Sequence, residues 1–375
     1  MIQTGRFAFA ASALLAMTAT LQLAHALEDT VTLRKGNEKI PGRITQCDTD
    51  NISVQIKDRS GQTSTAVYTG PEVADLEWDG DSDFRSAEAA FKSGNYGSAA
   101  RTFRSMKGDK ENWDALRAEV KPFITYAYAE CLYRLGKPDE AVGEFDKFMS
   151  DNGKSYYVPV ALASMIDAVI QKGDPPTKIT KLLDQLRGMG PEQHALADYY
   201  EGNMLRAQKK LKEAMGKYSS AAEASKLPET QAIALMGQAQ CALEGGDLSK
   251  ARDYAGSAVA KSSSPKVAGF AHLIAGNACM KEAEPLTGQK KVEKLTDAIL
   301  EFMRNEAQYG GDPRTQPESM YKAGQCLEQL AKLFPDSHGG DRGRAVTLYS
   351  KLANDARFRG SQYANLANES LKALR

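Results

Sequence analysis

The sequence predicts a mainly α-helical chain, built as a row of stacked helix pairs behind a small all-β module. Three observations predict it. A short motif, a turn followed by a small residue and a large one four positions on, returns along the chain at steps of 36 to 47 residues. Residues 27–78 instead alternate apolar and polar at period two. Composition is that of an ordinary folded protein, with 375 residues, 42% hydrophobic and 26% charged, and no low-complexity tract.

At the N-terminus, Arg6 precedes an apolar run from Phe7 to Leu23, and Ala24-His25-Ala26 has the small-x-small form of a cleavage site. Residues 1–26 are expected to be a signal peptide, leaving a mature chain that starts at Leu27 and is exported, periplasmic or secreted, in a bacterial setting. The alternative is an uncleaved membrane anchor. No Cys stands just after the cleavage site, which argues against a lipoprotein. After signal cleavage no run is long and apolar enough to be a transmembrane segment.

Residues 27–78 hold five short segments rich in Val, Ile and Thr, divided by Gly, Asp, Asn and Ser. Val31 and Leu33 share one face, as do Ile52, Val54 and Ile56. Such a module is SH3-like in size. Its core is small, so it is expected to pack on the first helices. Residues 79–84 form a polar linker in which Ser82 or Asp83 caps the first helix. Asp79, Asp81 and Asp83 alternate as in a calcium loop, yet Phe84 and Ala90 stand where that loop requires Gly and Glu.

From residue 82 to 360 the chain predicts about seven helix pairs, some degenerate. Their anchors are Ala99, Ala141, Lys178, Ala214, Ala251, Ala298 and Ala345. In the copy around Ala141, Ala129 and Leu132 face inward on the first helix. Gly136 stops that helix by taking a left-handed conformation, and Pro138 opens the next. Ala141 lets the two helices approach and Phe145 fills the space beside it. The copy at Lys178 and Leu182 lacks the alanine, and the last two copies carry about ten extra residues, which predicts longer helices or loops. Residues 361–375 predict a C-terminal capping helix, with Tyr363, Leu366, Ser370, Leu371 and Leu374 on one face.

The series resembles the tetratricopeptide repeat (TPR). A small residue, a large one three later, a Gly turn, an Ala and an aromatic appear as Ala129, Leu132, Gly136, Ala141 and Phe145. Further copies read Gly202, Leu205, Ala214 and Tyr218; Ala239, Gly246 and Ala251; Gly276, Cys279, Ala298 and Phe302; Gly324, Leu327, Ala345 and Tyr349. The resemblance spans about three quarters of the chain. It implies an α-solenoid whose first helices line a concave groove that binds a protein or peptide. Matching positions make Tyr126, Glu130, Arg134, Tyr199, Asn203, Arg206, Asn277 and Lys281 the candidate groove residues. The family's carboxylate-gripping form is not implied, because Phe84 and Glu88 stand where its Lys and Asn belong.

Catalytic and cofactor chemistry finds no support. The three His outside the leader, His194, His272 and His338, lie in different repeats, and no nucleophile elbow, phosphate loop, zinc-protease or dinucleotide motif is present. The 48 basic and 48 acidic residues cancel, which argues against nucleic acid as partner. The run Gln289 to Lys294, with Lys281, is the densest basic patch, expected to be a solvated helix face. Cys131, Cys241 and Cys326 fall at equivalent repeat positions, too far apart to bridge, and are expected to be small buried hydrophobes. The expected function is an exported, non-enzymatic scaffold for envelope proteins, with no catalytic, metal or cofactor residue assigned. The alternative is self-assembly through the β module into an envelope layer or oligomer. A third reading, an enzyme or glycan-binding site on the β module, has only Cys47 and the Asp79–Asp83 run behind it.

Overall fold

The computed structural model describes residues 28–58, 60–309 and 315–374. The predicted signal peptide, residues 1–26, lies outside them. By packing, the chain forms two compact units. Of the described residues, one unit comprises those up to Ala90 with Ser98–Tyr128 and Phe148–Val158; the other comprises Phe91–Gly97, Ala129–Lys147 and those from Pro159 on.

Five strands open the first unit: β1 (Asp29–Leu33), β2 (Lys39–Cys47), β3 (Ile52–Lys57), β4 (Thr63–Tyr68) and β5 (Val73–Glu77). All pairings are antiparallel, in the order β4-β3-β2-β1-β5, so the last strand returns to the first after a 3-10 turn at Gly70–Glu72. This is a small antiparallel sheet, as the period-two segments predict. Its apolar face buries Val31, Ile44, Ile52, Val54, Val73, Leu76 and Trp78. Bulges break the β1/β5 and β2/β3 registers, whereas β3 and β4 pair without interruption.

The module is fastened by polar contacts to residues of its own unit that lie in the connections between helices. The Asp29 side chain has no solvent exposure. Its carboxylate accepts from Ile44 N and Asp79 N, both at 2.8 Å. It also takes both ends of the Arg117 guanidinium, at 3.0 and 2.7 Å. Arg117 donates further to Ile44 O at 2.9 Å. Trp78 Nε1 donates to the Tyr157 hydroxyl at 2.8 Å.

The helices are α1 (Ser82–Lys92), α2 (Tyr96–Gly108), α3 (Lys110–Ala115), α4 (Lys121–Arg134), α5 (Pro138–Asp151), α6 (Val158–Lys172), α7 (Pro176–Arg187), α8 (Pro191–Ala207), α9 (Leu211–Ala224), α10 (Pro228–Glu244), α11 (Leu248–Lys261), α12 (Pro265–Ala283), α13 (Gly288–Tyr309), α14 (Gln316–Leu333), α15 (Pro335–His338), α16 (Asp341–Asn354) and α17 (Gln362–Ala373). Seven pairs follow among the described residues: α1/α2, α4/α5, α6/α7, α8/α9, α10/α11, α12/α13 and α14/α16. The extra length of the last two goes into the 22-residue α13 and the short inserted α15.

Two local expectations are corrected. The first helix is capped by Asp81, whose carboxylate accepts from Phe84 N at 2.8 Å, and not by Ser82 or Asp83. Those two already lie inside the first turn. In α7 the buried stripe is Ile179, Leu183 and Leu186, one residue on from the predicted Lys178 and Leu182. Lys178 instead bonds Asp174 at 3.0 Å at the helix start. A β-branched Ile in place of the usual Ala hid the register.

Gly136 has φ 73°, as its stop role requires. The equivalent turn between α8 and α9 uses Lys209 at φ 63°, a conformation ordinary side chains seldom adopt.

In the second unit the helices α8, α10, α12 and α14 contact one another in succession and form one layer, while α9, α11, α13 and α16 pack behind them. Apolar clusters run along the stack, each formed by one pair and the first helix of the next, as Leu273, Ala298, Phe302 and Ala323 are. Aromatics of the second helices press against glycines of the first. Tyr218 lies between Gly202 and Gly237, Phe302 against Gly276, and Tyr349 against Gly324. A Cβ at Gly202 would stand 2.6 Å from the Tyr218 ring. Helix α17 caps the stack by burying Ala364 and Ala367, with Tyr363, Leu371 and Leu374 packed around them.

Candidate protein-binding groove

A layer helix such as α12 is covered by neighbours on most of its surface, and this explains why it is apolar nearly all round. Its remaining stripe contributes Phe270, Asn277 and Lys281, at the four- and seven-residue spacing of one helix face. With residues from α8, α10 and α14 this stripe lines a groove of about 460 Å³. Arg206, Asn277 and Lys281 of the sequence-derived set meet there, together with Gln240, Leu243, Glu244, Glu318 and Lys322.

Apolar side chains make part of this lining and paired charges the rest. Arg206 Nη1 donates to Glu244 at 2.6 Å and Lys209 to the other oxygen of that carboxylate at 3.2 Å. Burial alone would raise the Glu244 carboxyl, but these two cations outweigh it and hold it below the usual range. Lys281 Nζ donates to Leu243 O, and Lys322 Nζ to Asn277 Oδ1, both at 2.7 Å. Arg206 Nε is buried with no acceptor among the described residues.

The other candidates are placed differently. Tyr199 packs on Tyr200 and Tyr218, and Asn203 accepts from the Tyr218 hydroxyl at 2.7 Å. Tyr126 stacks on Tyr157 with ring centroids 5.3 Å apart. Glu130 is buried and pairs with Arg134 at 2.6 Å. None of these five lines the groove of Arg206, Asn277 and Lys281.

Sequence reasoning overlooked Gln240, although the repeat step points to it. Asn203, Gln240 and Asn277 are evenly spaced, and each follows the small residue of its first helix, as does Gln325. The column is obscured because Ala239 stands in place of glycine in its copy. Phe270 and Lys322 were overlooked for want of any signal separating groove from packing.

The remaining chemistry is sparse. All five cysteines are free thiols. Burial, with Asp48 and Asp29 nearby, pushes the half-buried Cys47 up to about 12, so it is no thiolate nucleophile near neutral pH. Burial raises Cys131, Cys279 and Cys326 as well, and takes Cys241 to about 11 against the pull of Arg206. Thiol-specific reagent at about pH 8 is therefore expected to label the native chain slowly and the unfolded chain at all five sites within minutes. In the basic run, Lys294 pairs with Glu282 at 3.0 Å and Lys291 donates to Glu284 O at 3.3 Å. Among the described residues no group of three or more His, Cys, Asp or Glu is placed to hold a metal, and no helix is long and apolar enough to cross a membrane.

The sequence matches no protein-family model and no curated protein. Solved structures do resemble it. A tetratricopeptide repeat protein from Parabacteroides merdae aligns over 78% of this chain and 97% of its own, at 14% identity and a TM-score of 0.45. PilW, a type IV pilus biogenesis factor, aligns over 66% of this chain and 98% of its own, at 15% identity and a TM-score of 0.39. The C-terminal part of a TPR repeat-containing protein from Cytophaga hutchinsonii aligns over 71% and 98%, at 15% identity and a TM-score of 0.35. By its own packing, helix pairs closed by small residues and repeated along the chain, this protein is in fold a TPR-like α-solenoid behind a small antiparallel β sheet.

Proposed function

We propose that this protein is an exported, non-enzymatic scaffold that holds an extended peptide segment of an envelope or periplasmic protein in the groove of α8, α10, α12 and α14. A solenoid of helix pairs is a protein-interaction fold. The observation that carries the reading is the amide column. A side-chain amide both donates and accepts, as a peptide backbone does. Gln240 and Asn277, on neighbouring first helices of one groove, are suited to grip a backbone whatever its side chains. The half-buried Phe270 adds apolar contact. The leader-like residues 1–26 support export.

The test is affinity capture from an envelope extract, with partners identified by mass spectrometry. A Gln240→Ala, Asn277→Ala double variant is expected to melt within a few degrees of the parent and to lose its partners at least about tenfold, because two charge-free hydrogen-bonding groups are removed from one interface. An unchanged partner set would reject the groove.

A further inference from the structure

The β sheet has two outer strands, and they differ in a way that points to a partner. An outer strand offers a row of unpaired backbone groups, and folded proteins shield such rows with charge, proline, bulges or cover. Strand β5 follows that rule. It carries Asp75 and Glu77, Glu77 is bonded to Lys39 at 3.1 Å, and its pairing with β1 is bulged. Strand β4, with sequence TSTAVY, has no charge, no proline and no bulge, and four of its six residues are exposed. Val67 is 57% exposed, the most of any large hydrophobic residue among those described.

Its geometry also fits a second copy of itself. Asp58 N donates to Gln62 O at the hairpin end, and antiparallel bonding alternates from there. Ser64, Ala66 and Tyr68 therefore bond back to β3, while the N–H and C=O groups of Thr63, Thr65 and Val67 point outward. An antiparallel pairing about a two-fold axis at Thr65 sets Thr65 on Thr65 and Thr63 on Val67. The hydrogen-bonded pairs Thr65/Thr65 and Thr63/Val67 are then β-branched, the small Ser64 faces Ala66 between them, no like charges meet, and about six backbone hydrogen bonds form.

We infer that β4 is a self-association edge, through which two copies of this chain join their sheets into one continuous sheet. Six residues of strand bury less than the roughly 1,200–2,000 Å² of a stable interface, so the dimer is weak and depends on concentration. It is independent of the groove.

Sedimentation velocity on the full chain from about 1 to about 500 µM, its N-terminus read by mass spectrometry, tests this. A monomer at the low end and a dimer at the high end are expected, with a dissociation constant on the order of 100 µM. Thr65→Pro removes one outward N–H without touching the β3 ladder, and Thr65→Lys places a cation on the two-fold axis. Both are expected to weaken the dimer at least about tenfold while melting like the parent. Should the proline variant fail to fold, the lysine variant decides. A parent that stays monomeric throughout, leaving the edge to a strand of another protein or to none, would overturn the inference. A dimer of unchanged strength in the folded variants would do the same.

Discussion

Replacing Tyr218 with alanine is expected to destabilise the α8/α9/α10 region by about 3–5 kcal/mol. Tyr218 is fully buried, and its ring fills the space left by Gly202 and Gly237 on the two flanking helices. Its loss opens a cavity there and removes the donor to Asn203. Because stability in a stacked array is local, native-state hydrogen exchange over α8 to α10 is the sharpest readout. The partner substitution gives a sign test. Gly202→Ala alone should cost about 1–3 kcal/mol by overpacking the ring. In the Tyr218→Ala background the same methyl enters empty space and should cost almost nothing or stabilise. Equal effects in both backgrounds would show that ring and glycine do not interlock.

Arg117→Ala should cost about 3–5 kcal/mol in the unit that holds the β module. The Asp29 carboxylate has no solvent exposure, and losing the guanidinium leaves it only the Ile44 and Asp79 amides. Arg117 itself keeps a quarter of its side chain exposed, so most of the penalty falls on the stranded carboxylate. Arg117→Lys should recover only part of the loss, since an ammonium cannot span both oxygens. Urea unfolding followed through the fluorescence of buried Trp78 reports on this contact. A change under about 1 kcal/mol for Arg117→Ala would mean that water replaces the guanidinium.

The strands and the helix pairs were legible because each rests on local chemistry. Period two at Ile52, Val54 and Ile56 fixes which face of β3 is apolar. An Ala followed four residues later by Phe or Tyr, as at Ala141 and Phe145, marks a helix meeting its neighbour closely. Where local chemistry was ambiguous, the reading slipped: Ile179 in place of alanine shifted α7 by one residue, and three candidate cap residues in a row hid Asp81.

The candidate site was legible only in part, for a related reason. On the exposed side of a first helix, a residue that meets a partner and one that packs on the next helix follow the same spacing. Asn203 and Asn277 hold equivalent places in the repeat, yet one accepts from a tyrosine of its own pair and the other lines the groove with Lys322. Sequence alone determined the β module, the repeat of helix pairs and the lack of any catalytic motif, since periodicity and turn chemistry act over a few residues. The tertiary structure alone decided that Arg117 reaches Asp29, 88 residues away, that Tyr218 closes on Gly237, and that β4 is an outer strand of the described sheet. Those contacts depend on how distant segments stack, and no local pattern records them.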